Sequence, residues 1–172
     1  MRIFMIGPGG VGKSTVGKIL AKNLGYQLID LDEIFWSKKE NKYLHTNFVY
    51  EKYCTDNSKL FYELLNTSEN NCVFALSSGF LVYKDLANLH KKTITKEGIS
   101  VLLLPSPDII VSRKIIISRQ MNRGLKLENG REGQKVNERF YKYQRTGDIK
   151  MYSHDAPEII AKDIEEKLVK YI

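Results

Sequence analysis

The 172-residue sequence lacks any run of apolar residues near the roughly 20 needed to span a bilayer. It has two cysteines, Cys54 and Cys72, with neither CxxC spacing nor a Cys/His cluster, which argues against structural zinc and a disulfide framework. Two reduced, mostly buried thiols are expected instead. Neither N-K-x-D nor a D-x-x-G switch is present, as a guanine-nucleotide switch would require. Helix-turn-helix or finger spacing, aromatic–basic interleaving and internal repeats are missing too. The three histidines, His45, His90 and His154, are scattered and expected at the surface, and the lone Trp36 suggests no role.

What is present fits one globular domain able to bury its own core. Apolar residues make up 42% and charged residues 27%. The opening "MRIFMIG" is too short for the apolar core of a signal peptide and reads as a buried strand, so a cytoplasmic protein is expected. The net charge of +7 gathers in "HKKTITK" and between Arg113 and Arg145. An enzyme handling a nucleotide and an anionic substrate collects such charge, so neither nucleic acid nor a membrane is the expected partner.

Strand signals fall at "RIFMI", "YQLID", "CVFALSS", "ISVLLLP" and "DIKMYS". Helical spacing runs from Lys13 to Gly25, over "YEKYCTDNSKLFYELL", from Asp108 to Arg119, over "VNERFYKYQR", and over the closing "APEIIAKDIEEKLVKYI". The polar stretch from Trp36 to Asn47 reads as loop or weak helix, and "MNRGLKLENGREGQ" as a mobile loop. Strands alternating with helices predict a three-layer α/β/α domain around a parallel five-stranded sheet.

"GPGGVGKST" carries the chemistry. It satisfies G-x-x-x-x-G-K-[ST] at Gly7, Gly12, Lys13 and Ser14, between a predicted strand and a predicted helix. Gly7, Gly9, Gly10, Val11, Gly12, Lys13, Ser14 and Thr15 are the expected ATP cradle. Glycines let successive N–H groups turn toward phosphate oxygens, and the helix N-terminus adds its dipole. Lys13 can reach the β- and γ-phosphates and Ser14 can ligate Mg²⁺. Asp30 and Asp32 close the second strand, where ligands of such sheets gather. One can hold Mg²⁺ and the other can accept an attacking hydroxyl's proton; two acids so spaced could instead cap a helix.

"IFMIGPGGVGKSTVGKILAKNLGYQLIDLDEIF" resembles the opening of the shikimate kinase family, among the nucleoside-monophosphate-kinase-like P-loop folds. The resemblance implies an ATP- and Mg²⁺-dependent kinase acting on a small-molecule hydroxyl, with Asp30 serving magnesium and Asp32 the substrate hydroxyl. It implies an acceptor clamp at Arg139 in "RFYKY", and nucleotide-side and lid arginines at Arg119 and Arg123 in "RQMNRG". A lid near 120–136 and a substrate-binding helical segment near 32–65 follow. Shikimate is the leading acceptor; a related polyol, a sugar or a nucleoside, or nucleotide binding without transfer, are the alternatives. Two departures bear on the acceptor. The family's F-R-x-x-E helix matches "YCTDN", so Cys54 replaces the arginine and Asn57 the glutamate. Three family glycines after the central strand become Ser77, Ser78 and Gly79.

Overall fold

A computed structural model describes residues 1–38, 49–123 and 129–171. Five parallel strands, β1 (Arg2–Ile6), β2 (Gln27–Asp30), β3 (Cys72–Ala75), β4 (Ile99–Leu104) and β5 (Ile149–Tyr152), lie in the order β2-β3-β1-β4-β5. Helices α1 (Lys13–Leu24), α2 (Leu31–Ser37), α3 (Tyr50–Thr67), α4 (Leu86–Glu97), α5 (Ile109–Met121), α6 (Asn129–Gln144) and α7 (Pro157–Leu168) connect and close them.

The central strands β3, β1 and β4 are mostly apolar because both faces are covered, whereas the edge strand β5 alternates, with Ile149 and Met151 buried and Lys150 and Tyr152 exposed. Alternation sends Phe4 and Ile6 of β1 into one core with Phe74, Leu102 and Phe61, Ile94 and Phe140 of α3, α4 and α6. Ile3 and Met5 enter the other, with Val73, Val101, Leu20 of α1 and Ile164 of α7. In register, Met5 and Asp30 both pair with Ala75. The carboxyl ends of β1, β2 and β3 are therefore level, which brings three separate loops to one edge.

Four expectations need correction. Helix α4 was not foreseen, because "HKKTITK" hides its buried face: Ala87, His90 and Ile94 sit at helical spacing, with an imidazole in the middle of the stripe. His90 is consequently interior, only 1% exposed. Its ring stacks on Phe80, receives a hydrogen bond from Ser58 at Nε2 (2.8 Å) and donates from Nδ1 to the Phe80 carbonyl (2.8 Å). Helix α2 was also unforeseen; its Leu31 and Phe35, one turn apart, bury into the core. Finally, "MNRGLKLENGREGQ" is not loop to its end, since α6 begins at Asn129. Gly133 permits this close packing: a Cβ there would meet the Arg113 guanidinium at 2.8 Å. Val136, Phe140 and Tyr143 supply the burial that overrides the glycines' weak propensity. Residues 39–48, most of the polar stretch and His45 among them, lie outside the described residues. Cys54 and Cys72 are both free and buried, as expected.

Candidate functional site

The loop between β1 and α1 takes its shape from three glycines at positive φ: Gly7 (141°), Gly10 (79°) and Gly12 (98°). A Cβ on Gly7 would lie 2.6 Å from the Leu103 carbonyl oxygen, so that position admits little else. Gly12 caps α1, and the Lys13 ammonium curls back to donate to the Gly7 and Pro8 carbonyls, both at 2.9 Å. Burial lowers the Lys13 pKa from 10.5 to about 8, resisted by the nearby Asp32 and Asp30 carboxylates and assisted by Arg139 and Arg123. A loop holding a desolvated ammonium among main-chain groups is built to receive an anion.

A cleft of about 390 Å³ opens above this loop. It is lined by Gly9 through Thr15, by Asp30 and Asp32, and by Ser78, Arg119, Gln120 and Arg123. Asp30 ends β2 and takes the capping role the sequence left open: its Oδ1 accepts from the Glu33 N–H at 3.1 Å. Asp32 falls in the first turn of α2 and lines the cleft. The donor set fits a magnesium ion. Ser14 and Asp30 or Asp32 supply hard oxygens from the cleft wall, and Mg²⁺ characteristically takes one or two protein oxygens alongside phosphates and water.

The acceptor side is assembled from three chain segments. Arg139 of α6 donates to the Ser78 hydroxyl at 3.0 Å and the Tyr50 hydroxyl at 3.1 Å, both neutral groups. Tyr143 donates to the Ser78 carbonyl at 2.9 Å. Ser77 donates to Asp32 Oδ1 at 2.6 Å and stands 2.9 Å from Asn57 Oδ1. Cys54 lies behind this wall, 8% exposed, in a small pocket with Tyr53, Asn57, Ser77, Gly79 and Tyr83. Burial pushes its thiol pKa up, so it remains a neutral thiol. Gly79 is pressed by the Tyr50 hydroxyl, which would clash with a Cβ there.

The structure thus brings Lys13, Ser14, Asp30, Asp32, Ser78, Arg119 and Arg123 to one cleft and sets Arg139 and Gly79 beside it. It turns Ser77 toward Asp32 and leaves Cys54 outside the main cleft. Sequence reasoning missed Tyr50, Tyr53 and Gln120. The Gln120 amide presses on the phosphate loop, 2.7 Å from where a Gly9 Cβ would stand, and accepts from Arg123 at 3.0 Å. Its place between two singled-out arginines in "RQMNRG" was the available signal.

The family model described as shikimate kinase matches residues 9–169. A shikimate kinase from Persephonella marina is 35% identical over 107 residues, 61% of this chain and 61% of the relative. Another, from Psychrobacter sp., is 30% identical over 116 residues, 64% of this chain and 59% of the relative. The alignments therefore span about three-fifths of these relatives' length. Among solved structures, the shikimate kinase from Acinetobacter baumannii in complex with shikimate superposes with a TM-score of 0.78, at 21% identity. That match covers 99% of this chain and 93% of the other, a likeness of fold.

Proposed function

The chain belongs to the shikimate kinase family, and from that premise we propose that it transfers the γ-phosphoryl group of ATP to a hydroxyl of a small anionic acceptor, shikimate being the first candidate. The observation that carries this reading is the convergence of Lys13 and Asp32 on one cleft above a glycine-shaped phosphate loop. Asp32 receives the acceptor's hydroxyl proton as that oxygen bonds to the γ-phosphorus. The bond from phosphorus to the bridging oxygen breaks, and ADP leaves with the electron pair. Lys13 and the loop amides stabilise the charge on the transferring group. Ser14 and Asp30 would hold Mg²⁺, which when bound neutralises phosphate charge.

Arg139 supports an anionic acceptor, because among the described residues its guanidinium donates to the neutral hydroxyls of Ser78 and Tyr50 and a carboxylate would pair with it bidentately. The segment near 120–136, of which residues 124–128 lie outside the described residues, would act as the lid; Gln120 at its start stands against the phosphate loop and Glu132, 5% exposed, pairs with Lys135 at 2.6 Å. Excluding water there protects the γ-phosphoryl from hydrolysis. Residues 32–65 carry the acceptor-side helices. No helix of the described residues is long and apolar enough to cross a membrane; we place the enzyme in the cytoplasm, as a monomer.

A second reading concerns the acceptor alone. Cys54 stands where the family's carboxylate-binding arginine stands, and a buried neutral thiol cannot replace a guanidinium. A related polyol, a sugar or a nucleoside in shikimate's place fits that change. The test is ADP formation against a panel of acidic polyols, sugars and nucleosides, shikimate included. Stimulation by at least one acid, abolished in Asp32→Asn while ATP binding persists, is expected. No stimulation by any acceptor would leave only a nucleotide-binding module.

A further inference from the structure

Resting on the kinase reading above, we infer that Tyr53 and Ser77 are positioning residues for Asp32: both donate hydrogen bonds to Oδ1 of its carboxylate and so reserve Oδ2 for the acceptor hydroxyl. The Tyr53 hydroxyl and the Ser77 hydroxyl (2.6 Å) converge on this one oxygen, and no hydrogen bond from a described residue reaches Oδ2. A carboxylate at the mouth of a cleft can otherwise turn about its side-chain torsions. Two donors from different elements, α3 and the turn after β3, remove that freedom before any ligand arrives.

Each donor is itself held. The Tyr53 ring stacks on Trp36 (5.6 Å between centroids, 9° between planes) and meets the Phe35 edge at 5.1 Å, which aims its hydroxyl. Burial, with the Asp32 charge beside it, pushes the phenol's pKa upward, so it stays a donor at any working pH. Ser77 has one hydroxyl proton, which cannot serve both Asp32 and Asn57. The Asn57 Nδ2 is buried with no partner among the described residues in its present orientation. Turning the amide over settles the proton count: Asn57 then donates to Ser77, Ser77 donates to Asp32, and the amide oxygen takes the buried place of Nδ2. The Ser77 turn is braced in its turn by the buried His90, which bonds the Phe80 carbonyl, while the Phe80 N–H bonds the Ser77 carbonyl at 3.1 Å. Cys54, Asn57 and Ser77, read from the sequence as losses of acceptor contacts, thus border a polar relay that ends on the base.

Tyr53→Phe removes one oxygen and keeps the ring packing, which makes it the clean test. With the best acceptor from the panel, kcat should fall roughly tenfold while KM for ATP is unchanged. Ser77→Ala should act alike, and the double variant should lose more than either. Unchanged kcat, or a loss carried wholly in the acceptor's KM, would overturn the positioning role. Holding is tested separately from turnover by thermal unfolding of the nucleotide-free chain. Tyr53→Phe should lower Tm by roughly 3–8 °C with Asp32 present, and by far less in an Asp32→Ala background. Equal shifts in both backgrounds would disprove the clamp. A wild-type chain that phosphorylates no acceptor would sink the kinase reading, and the unfolding cycle would still decide the clamp.

Discussion

The Lys13 ammonium gives the sharpest quantitative expectation. In the free chain its pKa stands near 8, because it is buried among main-chain carbonyls and arginines with only partial compensation from Asp30 and Asp32. A bound triphosphate would pair with it and keep it charged well above that value. Binding ATP above pH 8 therefore means taking up a proton, and affinity falls as pH rises. The apparent Kd should scale as one plus ten to the power of pH minus 8. Between pH 7.5 and 9.5 this is a weakening of roughly 25-fold, approaching tenfold per unit at the top. Neighbouring groups leave the window clear, since the Tyr50 phenol is pushed up to about 12 and the Cys54 thiol is also raised.

Stability of the free chain has the opposite sign. Between pH 8 and 10.5 the unfolded chain holds a proton on this lysine that the folded chain has released, so the lysine's own contribution to stability rises with pH, by about 3 kcal/mol over the window. The raised Cys54 and Cys72 thiols act with the opposite sign above pH 9, and the contribution is therefore read as the difference between wild type and Lys13→Met. Calorimetric titration of ATP across the pH series reads the first effect and denaturant unfolding of the free chain the second. Lys13→Met should bind weakly with no such slope. An affinity that stays flat to pH 9.5, or a slope that survives in Lys13→Met, would refute the reasoning.

Two further substitutions probe the walls of the cleft. Cys54→Arg restores the family's residue type, yet the side chain would enter a pocket packed by Tyr53, Asn57, Phe80 and Tyr83. It should destabilise the chain by about 1–3 kcal/mol without improving shikimate affinity; a stable variant with tighter shikimate binding, by calorimetry, would show that the site accepts the family's contact. Gly10→Ala forces a Cβ onto a φ of 79° and to within 2.9 Å of the Gln120 side chain and 3.2 Å of the Ile116 carbonyl oxygen. ATP affinity should drop at least tenfold with a loss of about 1–2 kcal/mol in stability; wild-type ATP binding would show that the loop tolerates a side chain there.

What the sequence determined by itself is local chemistry. Strands β1 to β5, helices α1, α3, α5 and α7, and the phosphate loop could all be read, because each rests on short-range pattern: apolar runs, helical spacing, and glycines adjoining Lys13 and Ser14. The placement of Asp30 and Asp32 at the ligand edge followed from the same logic. Tertiary structure decided what depends on distant partners. It made Asp30 the cap of α2, buried His90 behind Phe80, and drew α6 back over Gly130 and Gly133 by burying Val136 and Phe140. It also turned Tyr53 and Ser77, 24 residues apart in the chain, onto the same carboxylate oxygen. No pattern within one segment encodes such a contact, because its geometry exists only once β2, α3 and the turn after β3 are held level by the sheet.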